Sequence, residues 1–395
     1  MRIIMVKILL LVGNYLPGFK SGGALRSTVN MVERLGDEFE FWIITSDRDI
    51  GDTSGYSRVN KNKWNIVGKA KVFYLSPADS TIWNISKIIN NTEHDILYLN
   101  SFFNPVFTIY PLIARRLNKL PNKPVIVATR GEFAKGALSI KKWKKIIYIM
   151  FSNALRLYKK VFWQASSEFE AIDIRRVMKS YSPQVHVAPN IPKYLNLNHL
   201  SSDIRVKKNE NLLKICFLGR IAPVKNLDYA LRVLSKLDLP INFDIYGPKE
   251  DKKYWDLCTE IIDLLPKSID VNYMGPIENE GVNDMFCKYD LFFLPTKGEN
   301  FGHVILESMS AGTPILIADT TPWRNLEEHG VGWDIPLSSP YEFENAIEKM
   351  FQLDEKEYSK MRNSVRNYAE KVTNDVSILN QSKELFLNSL GRGNV

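Results

Sequence analysis

Between residues 290 and 319 the chain reads DLFFLPTKGENFGHVILESMSAGTPILIAD, and it holds two acids, Glu299 and Glu307, with seven residues between them. DLFFLP reads as a short strand and Thr296 to Asn300 as a polar loop. A helix then opens near Gly302 and is closed by Gly312 and Pro314. Glu299 therefore sits at a strand end and Glu307 more than a turn inside the helix, where both can face one ligand from different depths. Carboxylates so placed accept hydrogen bonds from sugar or ribose hydroxyls. The helix N-terminus, with its amides at Gly302 and His303, suits a phosphate. The same residues also read as a plain strand–loop–helix unit in which Glu307 pairs with His303 one turn earlier.

Two other segments carry matching chemistry. In FLGRIAPVKNLDYAL (217–231), Arg220 and Lys225 flank a Pro-containing turn between a strand and a helix. Two cations there can neutralise a diphosphate, or they are solvated surface charges. In PGFKSGGALRS (17–27), a glycine turn leads from the first strand into a helix. That is where a doubly wound fold binds phosphate or a donor sugar, although glycine turns after strands are also common. The GxGxxG fingerprint is missing, which disfavours a nicotinamide or flavin enzyme.

These groups need elements to hold them, and the chain alternates strand and helix in two sets. The first set of apolar runs is 6–14, 40–46, 71–76, 95–100, 124–130 and 161–166. Leu25, Val29, Val32 and Leu35 recur at helical spacing over 24–36, with Gly36 as the C-cap. A shift in composition near 189–213 reads as a linker. The second set is 212–220, 241–247, 271–275, 290–295 and 313–319, with helices over 225–237, 251–265, about 302–311, and through the tail from 341 to 390. Such alternation predicts α/β architecture with parallel sheets covered on both faces. At 395 residues the chain is long for one core. Two doubly wound domains would place a ligand in the cleft between them, beyond the carboxyl ends of the strands.

The three segments in this order, with SEFEAIDIRRV (167–177) and HVAPNIP (186–192) ahead of the linker, resemble glycosyltransferase family 4. LNSFFNP (99–105) and TRGEFAKGALSIKKWKK (129–145) look like its bacterial surface-polysaccharide subgroup. The resemblance implies the GT-B fold: two Rossmann-like doubly wound parallel-sheet domains facing across a cleft. It implies an N-terminal acceptor-binding domain over 1–193, a nucleotide-sugar-binding domain over 205–375, and a C-terminal helix within 376–395 that packs back on the first. It implies a retaining hexosyltransferase that moves a sugar from a UDP-sugar to a saccharide acceptor, lipid-linked, for O-antigen or capsule synthesis.

Residue roles follow from the resemblance. Arg220 and Lys225 match the pair that grips the donor diphosphate, and Glu299 the acid near the donor sugar. Glu307 matches the acid that takes the ribose hydroxyls. Phe301, Gly302, His303 and Val304 match the loop whose amides reach the phosphates. Gly22 and Gly23 match the turn that closes over the donor, while Gly247, Pro248, Gly275 and Ile277 fall where the nucleobase pocket is lined. The family His is replaced by Arg130 in Thr129-Arg130-Gly131-Glu132. Arg130 and Glu132, with Asn100, are candidates for placing the acceptor or sugar; a structural Arg130–Glu132 pair is the other reading.

No Asp-x-Asp metal pair stands at a strand end, since Asp47 and Asp49 lie in a loop after the second strand. No metal or other cofactor is expected, and fixed cations would serve the leaving group. The net charge is +8, yet residues 111–160 hold 13 Lys/Arg against one acid, Glu132, which leaves the rest slightly acidic. Within 141–160, Trp143, Ile147, Met150, Ala154 and Leu157 recur at helical spacing beside Lys141, Lys142, Lys144 and Lys145. That pattern fits a helix lying on an anionic membrane surface, or an amphipathic helix packed on the sheet. The N-terminal apolar run carries Lys7 and ends in a Gly/Pro turn, so it reads as a buried strand rather than a signal peptide. Three scattered cysteines fit a reducing cytoplasm; the resemblance, with the basic helix, implies peripheral association with the inner membrane. A GT-B nucleotide-sugar 2-epimerase is the rival enzyme. A nucleic-acid-binding protein is the non-enzymatic rival, without any recognisable binding motif.

Overall fold

The computed structural model describes residues 5–139, 141–181, 183–194, 208–209, 211–278 and 281–391. The chain divides into two units, 1–193 with 375–395, and 194–374. Most of the expected linker lies outside the described residues.

The first unit is built on an eight-stranded sheet: β1 (Val6–Val12), β2 (Phe39–Ser46), β3 (Trp64–Val67), β4 (Ala70–Leu75), β5 (Ile96–Asn100), β6 (Val125–Ala128), β7 (Phe162–Ala165) and β8 (Gln184–Val187). Their order across the sheet is β3-β4-β2-β1-β5-β6-β7-β8. The β3–β4 hairpin is antiparallel, and the other pairings are parallel. β1 reads VKILLLV because both of its faces are covered. Ile8 and Leu10 enter one core and Leu9 and Leu11 the other, as successive strand residues must. The C-terminal helix Val376–Ser389 covers the first face. Its Phe386 ring lies 5.2 Å from Phe39 and 6.1 Å from Tyr98.

The second unit has six parallel strands: β9 (Leu213–Leu218), β10 (Ile241–Tyr246), β11 (Ile269–Gly275), β12 (Leu291–Leu294), β13 (Ile315–Ala318) and β14 (Gly332–Ile335). The order is β11-β10-β9-β12-β13-β14. β12 (LFFL) and β13 (ILIA) are wholly buried.

Each sheet reverses its strand order once. The crossovers part at β1/β5 in the first unit and at β9/β12 in the second. Ligands of open α/β sheets bind at such switch points, outside the carboxyl ends of the strands. The loops that matter are therefore those after β1 and β5, and those after β9 and β12.

Candidate active site

In the second unit the switch point joins the loop after β9 (219–226) to the loop after β12 (295–302). The Lys297 amide donates to Val224 O at 2.8 Å, and Thr296 Oγ1 donates to the same carbonyl at 3.1 Å. Thr320 Oγ1, beyond β13, donates to Thr296 O at 2.6 Å. These bonds fix the backbone that carries the charged side chains. Lys225 Nζ contacts Glu299 Oε1, and the two side chains are only 15% and 14% exposed. Arg220 Nη1 reaches both carboxylate oxygens of Glu250, at 2.9 and 2.7 Å, in a half-exposed pair. Glu250 carries no signal in the sequence, because its partner lies 30 residues away.

The strand ends around them are held close by glycine. Gly247 has φ +132°, and a Cβ there would fall 1.9 Å from Gly219 O. The Gly247 amide donates to Gly275 O at 2.9 Å and the Gly219 amide to Tyr246 O at 3.1 Å, so three strand ends lie in one row. Pro248 O accepts from the Ile221 amide at 2.9 Å. Ile277 follows β11 and would lie 3.6 Å from a Cβ at Gly281.

The helix His303–Ser310 begins at Gly302, whose φ of +76° favours glycine and where a Cβ would meet Ile305 Cδ1 at 2.7 Å. Phe301 is clamped ahead of it. Its carbonyl accepts from Trp323 Nε1, and its ring packs 5.4 Å from Trp323 and 4.7 Å from His303. His303 is buried, and Val304 and Glu307 lie on the same helix. The N-terminus of this helix, the positive end of its dipole, thus adjoins the loop that carries Glu299, whose carboxylate contacts Lys225 from the loop after β9.

In the first unit, Gly22 (φ +60°) caps the helix Gly23–Leu35 in the turn after β1. Asn100 ends β5 and is buried. Arg130 (φ +51°) follows β6 and is spread over three partners. Nε donates to Asn100 Oδ1 at 2.5 Å, Nη1 to Asn190 Oδ1, and Nη2 to Tyr98 Oη at 2.9 Å. Its guanidinium thereby ties the loop after β6 to β5 and to the segment after β8. Those bonds oppose the strain of a left-handed non-glycine residue.

The structural reading that paired Arg130 with Glu132 is corrected. Glu132 instead accepts from the Phe102 and Phe103 amides, at 2.5 and 3.2 Å, and from Ser101 Oγ at 2.8 Å. Burial raises its pKa above the ordinary carboxylate range, and these donors pull it back only in part. Glu170, buried in the SEFEAIDIRRV segment, braces the neighbouring loop in the same way. It accepts from Thr129 Oγ1 (2.6 Å), the Gly131 amide (2.6 Å) and the Ser166 amide (2.7 Å).

The basic segment forms the helix Lys142–Ala154. Trp143, Ile147, Met150 and Phe151 are 76%, 60%, 66% and 66% exposed, beside exposed Lys141, Lys142 and Lys144. Two expectations are corrected. Lys145 faces inward, donating to Ala137 O at 2.7 Å, because helical spacing puts it on the face of Tyr148, Ile149 and Ser152. Leu157 lies beyond the helix end and is buried. No described helix is long and apolar enough to cross a membrane. Among the described residues, no group of three His, Cys, Asp or Glu side chains is placed to hold a metal ion.

Residues 201–372 match the family model for glycosyl transferases group 1. That match spans less than half of the chain and most of the second unit, a domain similar to group 1 glycosyltransferases. This domain holds Arg220, Lys225, Glu299 and Glu307, while the first unit lies outside the match. A protein of 41.2 kDa in the cps region of Klebsiella pneumoniae is 24% identical over 61% of this chain. An uncharacterised glycosyltransferase of Methanocaldococcus jannaschii is 25% identical over 43% of it. The chain spans 65% and 48% of these two relatives' lengths. Among solved structures, sucrose-phosphate synthase from Thermosynechococcus elongatus superposes with a TM-score of 0.71 at 15% identity, covering 98% of this chain and 99% of that one. Anabaena HepE in complex with UDP and glucose gives 0.68 at 16% identity, covering 97% and 100%. WaaG, a glycosyltransferase of lipopolysaccharide biosynthesis, gives 0.61 at 16% identity, covering 96% and 99%. Each is similar in fold, and the fold of this protein is GT-B.

Proposed function

We propose that the protein is a retaining, metal-independent glycosyltransferase that moves a hexose from a UDP-sugar to a saccharide acceptor in surface-polysaccharide synthesis. The carrying observation is the β9/β12 switch point of the second unit. It sets two cations, a carboxylate and a helix N-terminus around one strand-end row. HepE, a structural neighbour, is described with UDP and with UDP-glucose, which supports a uridine donor. The cps-region relative and WaaG support a polysaccharide role.

In this reading Arg220, Lys225 and the dipole of His303–Ser310 bind the diphosphate and stabilise its charge as it leaves. Lys225 exchanges Glu299 for a phosphate oxygen, which frees the carboxylate for a sugar hydroxyl. Glu307 takes the ribose hydroxyls, and Gly247, Gly275 and Ile277 line the base. The bond from the sugar's anomeric carbon to the diphosphate breaks. The acceptor oxygen bonds to the same face, and its proton passes to the departing phosphate oxygen. Fixed protein cations do the work that a metal would otherwise do.

Loops after β5 and β6, held by Glu132 and Arg130, place the acceptor, which is lipid-linked. The helix Lys142–Ala154 rests its apolar face on an anionic membrane, each nearby Lys or Arg adding about 1 kcal/mol. The test is turnover of UDP-sugars with extracted lipid-linked saccharide, with and without EDTA. Transfer that survives EDTA and disappears in Lys225→Ala supports the proposal. Transfer abolished by EDTA, or unaffected by Lys225→Ala, contradicts it.

A further inference from the structure

The turn after β1 lies at the other switch point, β1/β5, and something must hold its shape. Asp49 is that anchor. It stands in the loop after β2 and is 4% exposed. Its Oδ2 accepts from two consecutive amides of the turn, Phe19 at 2.7 Å and Lys20 at 2.9 Å. Its Oδ1 accepts from its neighbour's amide, Ile50, at 2.9 Å. Gly18 sits directly over the carboxylate: a Cβ there would lie 3.2 Å from Asp49 Cγ and 2.4 Å from Tyr56 Oη. Outside this core the same two loops are joined by Lys20 Nζ to Asp52 Oδ1 at 2.5 Å.

The neighbouring acid has a different task. Asp47 is fully buried against Arg48 and Lys61, and no bond to the turn runs through its side chain. The sequence TSDRD therefore holds one acid that braces its own loop and one that reaches across to the glycine turn. Both carboxylate oxygens of Asp49 accept from backbone amides, whereas an amide side chain in its place offers one acceptor oxygen and two unwanted donors. Fixing the turn in advance removes an ordering cost that would otherwise be met when ligand binds.

We propose that Asp49 is a positioning residue that pre-organises the 17–22 turn, at the β1/β5 switch point, for the transfer reaction. The inference rests on the nucleotide-sugar transferase reading above. Its test is Asp49→Asn in the full chain, with Asp47→Asn as a control for simple loss of stability. Two readouts are taken: amide hydrogen exchange over residues 17–22, and kinetics with UDP-sugar beside the affinity for UDP alone. The expected result for Asp49→Asn is exchange at Phe19 and Lys20 at least about 10-fold faster, and kcat/KM for the UDP-sugar about 10-fold lower or more. UDP affinity stays within about twofold, because Asp49 and the turn it holds lie in the first unit, outside residues 201–372. Asp47→Asn lowers stability without this split between kcat/KM and UDP affinity. Unchanged exchange in Asp49→Asn, or unchanged kcat/KM despite faster exchange, overturns the inference alone. Equal losses for UDP and UDP-sugar also overturn it. A wild-type protein that turns over no nucleotide-sugar removes the transferase reading, and this inference with it.

Discussion

Lys225 and Glu299 form a mostly buried pair, whereas Arg220 and Glu250 form a half-exposed one. The difference separates stability from activity. Lys225→Met leaves Glu299 with an unmatched charge and should cost about 1.5–3 kcal/mol in urea denaturation. Lys225→Met combined with Glu299→Gln should recover much of that loss in a double-mutant cycle. Arg220→Ala should cost less than about 1 kcal/mol of stability. Yet it should lower kcat by about 100-fold, since it removes charge where the leaving group develops it. Gly247→Ala places a methyl 1.9 Å from Gly219 O at positive φ. It should destabilise by about 3 kcal/mol or more, read as a lower denaturant midpoint. At this scale the sequence was partly legible. Types and spacing drew out Arg220, Lys225 and Glu299 as candidates, with a plain structural alternative beside each, because a strand end beside a helix start is a local pattern. Glu250, Asp49 and Glu170 were not legible, because each acts on backbone or side chains some 30 or more residues away.

Among the elements, the strands with continuous apolar runs stood out in the sequence, because burial on both faces demands such runs. β3, β8 and β14 did not. WNIV lies at a sheet edge with Ile66 exposed, QVHV mixes polar and apolar residues, and GWDI is broken by glycine and aspartate. The helix Lys142–Ala154 was legible as an amphipathic segment, but both its end and the inward turn of Lys145 depended on what lay beneath it. Its exposed face yields a prediction. Trp143→Ser with Ile147→Ser should leave the unfolding midpoint nearly unchanged, since both side chains are exposed, but should abolish flotation with anionic liposomes. Equal flotation of wild type on neutral and anionic vesicles would remove the membrane role. The segment before β5 gives a second prediction. His94 is buried and donates through Nδ1 to Thr92 O at 2.7 Å, and burial lowers its pKa from the ordinary 6.5. The unfolded chain then takes up a proton first as pH falls. The stability contributed by the neutral ring is present above pH 6.5 and lost below it, through the lowered folded value. Between pH 7 and 5, wild type should lose more stability than His94→Gln, as measured by denaturant unfolding at each pH.

At the scale of the whole molecule, the strand–helix alternation, the restart after residue 211 and the concentration of positive charge in 111–160 were all open to inspection in the sequence. The switch points were not, because strand order depends on pairing between distant segments. The switch point at β9/β12 brings the loops that carry Arg220, Lys225 and Glu299 to neighbouring strand ends, and the donor site proposed above within residues 201–372 rests on it. That site is the central claim, and ligand-dependent thermal unfolding of the full chain against UDP-, GDP- and ADP-sugars tests it most directly. A UDP-sugar at about 100 times its Kd should stabilise the fold by about 2.7 kcal/mol and raise the midpoint by roughly 3 °C or more, with the rise lost in Arg220→Ala. No shift with any nucleotide-sugar, or an equal shift in Arg220→Ala, would contradict it.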